Sequence, residues 1–204
     1  MMNAVTFHAH RVFLQKCSTI LAELCEPAGE QTSLIQISGV SPGIFHHLLN
    51  YIYGGKVSDD EMKLHAKEII DAADKYGIAN LKQEAEARFV EAATFTMENV
   101  MDHLLYAESK NCALLKEAAM DFIAVNKIEA INRLSFTDAP GTLMRDLLTA
   151  VARGEQNDEF DGNSNNDLFM MRTSELRQKA HLKRLNVDGS REMLIEALKK
   201  KQKK

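Results

Sequence analysis

His8 and His10 stand two residues apart, a spacing that would put both imidazoles on one side of a strand and let them share a metal ion. No cysteine or carboxylate nearby completes a ligand set, so a capping or core-edge role is the simpler reading. Cys17, Cys25 and Cys112 are odd in number and lack a CxxC pairing, which argues for isolated thiols and against a disulfide framework or a zinc site. Asn157, Glu159, Asp161 and Gly162 imitate positions one, three, five and six of a calcium loop. Position one is not Asp, however, and Leu168 stands where the loop needs its glutamate. There is no phosphate loop, no GxSxG, no HExxH and no credible Cys/His pair. The expectation is a chain that is not an enzyme and uses no catalytic residue, metal or cofactor.

What remains is charge. The net charge is −4, but from Met171 onward eleven Lys and Arg face four acidic residues, so the end carries +7 and the preceding chain −11. An acidic body with a basic end suggests that the end meets an anionic partner. Ser174 to Leu198 reads as two short helices around Asn186 to Ser190, with Leu176, Leu185, Leu194, Ile195 and Leu198 as the apolar positions. Lys179, Lys183, Arg184 and Arg191 supply cations. Gly189 and Ser190, with the backbone amides at the turn, could meet phosphates. The stretch resembles a SAP motif, with Ala180 in place of a leucine, Arg184 in place of a glycine and Ser190 where a basic residue is common. That resemblance implies contact with A/T-rich DNA or another nucleic acid, read through groove shape. The plainer reading is a solvated charged face with a disordered KKKQKK tail; as a localisation signal the tail would fit a protein of the nucleus, the cytoplasm or both.

The elements that would position these groups begin with Val40 to Gly55. Ser41 is an N-cap, Pro42 suits the first helical position, and Gly54 and Gly55 can take the left-handed turn that stops a helix. Ile44, Phe45, Leu48, Leu49 and Ile52 recur at helical spacing between them. Ser33 to Ile37 reads as a short strand, and Tyr53 to Val57 as an extended return. The block resembles the centre of a BTB/POZ domain. Three further blocks carry the same likeness: Ala9-His10-Arg11 with Val12, Phe13, Leu14 and Ser18; Ala72 to Gly77; and Leu81-Lys82. The resemblance implies an α+β fold, a mainly helical BTB/POZ domain with a small sheet, N-terminally abbreviated because only Ala4 to Phe7 precede the first block.

His10 to Cys25 is predicted as one helix with Val12, Phe13, Ile20, Leu21 and Leu24 offered to the core. Ser58 to Glu61 is a capping box in which Glu61 returns to the serine N–H, opening a helix that ends at Gly77, and Asn80 is the expected cap of the next. Thr96 to Ser109 and Ala113 to Val125 are two more helices, and Gly141 to Val151 another. Ala73-Asp74 through Leu81-Lys82-Gln83 resembles Ala107-Glu108 through Leu115-Lys116-Glu117 at an offset of 34 residues. Two copies do not make a solenoid, so the pattern reads as two helical hairpins. Leu115 to Ile123 resembles the helical extension that follows the BTB core in MATH-BTB cullin adaptors. The domain plan is therefore 1–94 BTB/POZ, 95–152 helical extension of the 3-box or BACK kind, 153–170 an acidic flexible linker, 171–200 the SAP-like helix-turn-helix, and 201–204 a basic tail.

At 204 residues and 45% hydrophobic the chain can bury a core, and no stretch has the apolar length of a membrane span, so no membrane partner is expected. The resemblances imply a protein-interaction adaptor, the substrate-recognition subunit of a cullin-3-type ubiquitin ligase whose C-terminal module binds nucleic acid. Glu26 and Glu30, in the loop after the first helix, are the candidate cullin contacts. The alternative is a chromatin-associated scaffold or transcriptional regulator that self-associates as a homodimer through its BTB part and recruits no ligase.

Overall fold

The computed structural model describes residues 5–25, 34–137, 139–156, 168 and 171–202. The chain divides into two compact units, Met1–Ala92 and Ala93–Lys204. The described residues of the first are α1 (Arg11–Cys17), α2 (Thr19–Leu24), α3 (Pro42–Ile52), α4 (Asp59–Leu64), α5 (Ala66–Lys75) and α6 (Ala79–Ala92), with their connections. Those of the second are α7 (Val100–Lys110), α8 (Ala113–Val125), α9 (Lys127–Arg133), α10 (Gly141–Gln156), α11 (Thr173–Leu182) and α12 (Arg191–Gln202).

The expected small sheet is overturned, because no strand occurs among the described residues. Residues 34–38 of the predicted strand and the return after Tyr53 are irregular chain. A strand is defined by ladder bonds to a neighbour, and neither segment has such a partner among the described residues. Leu34, meant to alternate inward, is 89% exposed.

α3 forms as its caps dictate. Ile44 N–H donates to Ser41 Oγ at 3.4 Å, Pro42 opens the first turn, and all five predicted apolar positions are buried. It packs on α5, which packs on α6. The helix predicted over His10 to Cys25 is broken at Ser18, whose backbone is extended. The Ser18 hydroxyl accepts from Leu21 N–H at 2.9 Å and donates to the Tyr76 carbonyl at 2.5 Å, so a cap and a tertiary bond replace one helical turn. That break turns Leu14 and Leu21 inward and leaves Val12, Phe13, Ile20 and Leu24, all expected in the core, exposed. The helix after Ser58 is likewise interrupted at His65. There the Ser58 hydroxyl, and not its N–H, meets the Glu61 carboxylate at 2.9 Å. Asn80 lies inside the first turn of α6, which starts at Ala79.

Four helices end on one device. In each, a residue with positive φ is followed by an N–H that reaches back five residues: Gly54 then Gly55 to Asn50, Gly77 then Ile78 to Ala73, Asn111 then Cys112 to Ala107, and Arg184 then Leu185 to Ala180. This is the Schellman closure, which satisfies carbonyls that a helix end leaves over. Gly55 is further constrained, because a Cβ there would sit 2.1 Å from Asn50 Oδ1.

In the second unit Val100, Leu104, Ala119, Met120, Ile123, Leu143 and Leu147 form one core, joining α7, α8 and α10. α7 starts at Val100 rather than near Thr96, because Asn99 ties the preceding turn down, accepting from Thr96 N–H and donating to the Thr94 carbonyl, each at 2.9 Å. α9 was not anticipated, and α10 continues to Gln156, inside the span expected to be linker. Asn157 to Asp167, with the calcium-loop imitation, lie outside the described residues. α11 and α12 pair as predicted around a second cluster of Leu168, Leu176, Ala180, Leu194, Ile195 and Leu198.

Candidate functional site

No group of three His, Cys, Asp or Glu among the described residues is placed to hold a metal ion, and no helix there is long and apolar enough to cross a membrane. Cys17 is exposed, while Cys25 and Cys112 are buried free thiols. The candidates for function are therefore surfaces, one in each unit.

In the first unit the break at Ser18 leaves α1 lying with Val12 74% exposed and Phe13 45% exposed. The Phe13 ring stacks on Tyr53 with centroids 4.8 Å apart and planes 29° from parallel. His10 fixes that stack, its N–H donating to the Tyr53 hydroxyl at 2.7 Å and its Nδ1 lying 2.9 Å from the same oxygen. So His10 positions a tyrosine instead of pairing with His8 on a metal. Single exposed apolar side chains are ordinary, whereas an ordered aromatic stack at the surface is a ready contact platform. Glu26 and Glu30 lie outside the described residues.

In the second unit the assigned residues fall on the α11–α12 hairpin. Lys183 is the C-cap of α11, and its carbonyl accepts from Lys201 Nζ at 3.1 Å. Arg184 is exposed with φ +55°, taking the left-handed position at the turn. Lys179 is half-buried, 3.8 Å from the Met171 sulfur. Gly189 is buried with φ +122°, where a Cβ would approach the Met193 side chain to 3.1 Å. Ser190 caps α12, accepting from Met193 N–H at 3.4 Å, and Arg191 Nη2 donates to the Met171 carbonyl at 2.9 Å.

The hairpin is seated on α8 by groups absent from the predicted set. Arg172 Nη1 meets Asp121 Oδ2 at 2.7 Å, and the buried Thr173 N–H donates to Glu117 Oε2 at 2.9 Å. Beneath them Lys116, 5% exposed, pairs with Glu108 at 2.7 Å and with Asp146 of α10. Burial works against its charge, but the hydrogen bonds from Asp146 and Glu108 hold the ammonium above its ordinary range. Burial also pushes the Asp146 carboxyl up, against the pull of Lys116. Glu192 goes the other way. Burial would raise it, but the Ser190 hydroxyl, its own backbone N–H, Lys116 and Asp146 together hold it below the usual carboxylate range. Lys116, Glu117, Asp146, Thr173, Arg191 and Glu192 line a shared cavity of about 10 Å³, the room for one water.

One signal in the sequence pointed to Lys116. It shares the buried register of α8, three residues after Ala113 and four before Met120. A charge in such a register requires a partner. The identity of the partners was hidden, since Asp146 and Glu192 are distant in sequence.

Residues 1–93 match the BTB/POZ domain family. Among characterised proteins the chain is similar to TD and POZ domain-containing protein 1-like of Mus musculus, 29% identical over 120 residues that make up 58% of this chain and 32% of that protein. It is similar also to TD and POZ domain-containing protein 4 of Mus musculus, 29% identical over 121 residues, again 58% of this chain and 32% of that protein. The matched region is about a third of the length of these relatives.

Proposed function

Because residues 1–93 are a BTB/POZ domain, a protein-interaction module and not a catalytic one, we propose that the chain is an adaptor joining a protein partner to a nucleic acid. The observation that carries the protein side is the exposed Phe13–Tyr53 stack with Val12 beside it, held in place by His10. Its specific form is a substrate-recognition subunit of a cullin-3-type ubiquitin ligase. The likeness of Leu115 to Ile123 to the helical extension of cullin adaptors supports that form, with Glu26 and Glu30 as contact candidates. The nucleic-acid side rests on the SAP-like pattern of 171–200 and its surplus of cations; the family match stops at residue 93.

Capture of cullin-3 from a cell lysate by the immobilised full chain tests the specific form. Retention by the wild type and loss with E26A/E30A supports it. No capture by either version removes it. The aromatic platform also favours the second reading, a chromatin-bound scaffold that self-associates. In that case V12D/F13D turns a dimer into a monomer in sedimentation, leaves the helical circular dichroism unchanged, and no cullin is captured by the wild type.

A further inference from the structure

The first turn of α12, a twelve-residue helix, has the parts of a phosphate site: unpaired amides, the Ser190 hydroxyl and the neighbouring Arg191. A carboxylate already occupies it. Glu192 takes the Ser190 hydroxyl and its own backbone N–H, and Asp146 from α10 is hydrogen-bonded to it. Lys116 lies beneath, shared with Asp146 and Glu108. A second observation marks the same place as built for a ligand. Thr173 is fully buried, its hydroxyl has no hydrogen-bond partner among the described residues, and it lines one cavity with Arg191 and Glu192.

We propose that the Glu192 side chain is an internal stand-in for phosphate, which keeps the start of α12 closed until a nucleic-acid phosphodiester displaces it. The inference rests on the nucleic-acid reading of the hairpin given above, and adds its regulation. Tethered to the helix it caps, Glu192 competes at a high effective concentration, so a single free phosphate is excluded while a polyanion with many contacts can prevail. Displacement leaves Lys116 neutralised by Glu108 and Asp146. The bonds Glu192 gives up at Ser190 and the amide are those the phosphate gains.

Fluorescence anisotropy of a labelled A/T-rich duplex with the full-length protein at fixed salt tests this. E192Q keeps the shape of the side chain and removes its charge, and E196Q removes a charge from an exposed site paired to Lys200. The expected result is affinity raised about tenfold by E192Q and little changed by E196Q, with a log–log salt dependence steeper by about one phosphate contact. S190A/E192Q loses most of the gain. If E192Q unfolds by circular dichroism, D146N, which loosens the hold on Glu192, carries the same expectation with a smaller gain. Equal binding by wild type, E192Q and E196Q, with K183A/R184A weaker, overturns the stand-in and leaves the nucleic-acid reading intact. Absence of binding by the wild type and by every charge-removing variant overturns both.

Discussion

The ammonium of Lys116 lies 2.7 Å from Glu108, eight residues earlier in the chain and across the left-handed turn at Asn111. The first unit has the same arrangement 34 residues earlier, with Lys82 2.8 Å from Asp74 across Gly77. The self-similarity in the sequence is thus a repeated helical hairpin, each with a buried lysine closing its turn, and not a solenoid. The copies differ in one respect that matters for stability. Lys116 has a second carboxylate, Asp146 of α10.

Removing Lys116 strands Glu108, Asp146 and Glu192 around an emptied site. K116A is expected to cost about 3 kcal/mol, the range for breaking a buried ion pair by deleting one partner. K82A faces only Asp74, which is 37% exposed and can turn to water, so its cost should be nearer 1 kcal/mol. Urea denaturation of the two variants side by side gives the comparison; equal midpoints would contradict the difference in burial.

Ser18 holds a cap and a long-range bond with one hydroxyl. S18A loses the acceptor for Leu21 N–H and the donor to Tyr76, in a residue only 3% exposed. About 2 kcal/mol of destabilisation is expected, and S18T should recover most of it in the same thermal melt.

Arg184 carries a side chain at φ +55°, where glycine is the unstrained choice. R184G is expected to stabilise the chain by about 1 kcal/mol while lowering its affinity for duplex DNA. A gain in melting temperature with a loss in binding would separate the cost of the conformation from the use of the charge.

The Asp146–Glu192 pair sets a pH dependence. Burial raises Asp146, so its contribution is full below its unfolded value and is lost as pH rises through its folded value. Glu192 is lowered: against the opposing effect of burial, Ser190, its own N–H, Lys116 and Asp146 win. Its contribution is therefore present above its unfolded value and lost as pH falls through its folded one. Together they favour the form in which Glu192 is ionised and Asp146 protonated, one proton shared between two carboxyls. Relative to the wild type, D146N/E192Q should lose most stability in the acid range and less near neutrality. Urea midpoints from about pH 4 to pH 7 measure it, and parallel profiles would count against a shared proton.

Local patterns settled much of this molecule. Ser41-Pro42 and Gly54-Gly55 bound α3 because caps and turn residues act within a few positions, and the apolar spacing of Leu176, Leu194, Ile195 and Leu198 defined the α11–α12 hairpin for the same reason. Where a partner far away in the chain had to be known, the sequence was mute. Ser18 could have continued a helix, and breaks it because its hydroxyl reaches Tyr76, which also turned Val12 and Phe13 from expected core to surface. The segment at Leu34 had the composition of a strand but, among the described residues, no neighbour to complete a ladder. Glu192 looked like a solvated first-turn acid, and only the packing of α8 and α10 beneath it made it the occupant of the helix end. Propensity and capping are read within one or two turns of chain, whereas burial and charge pairing are decided by which distant residues the fold brings within about 3 Å.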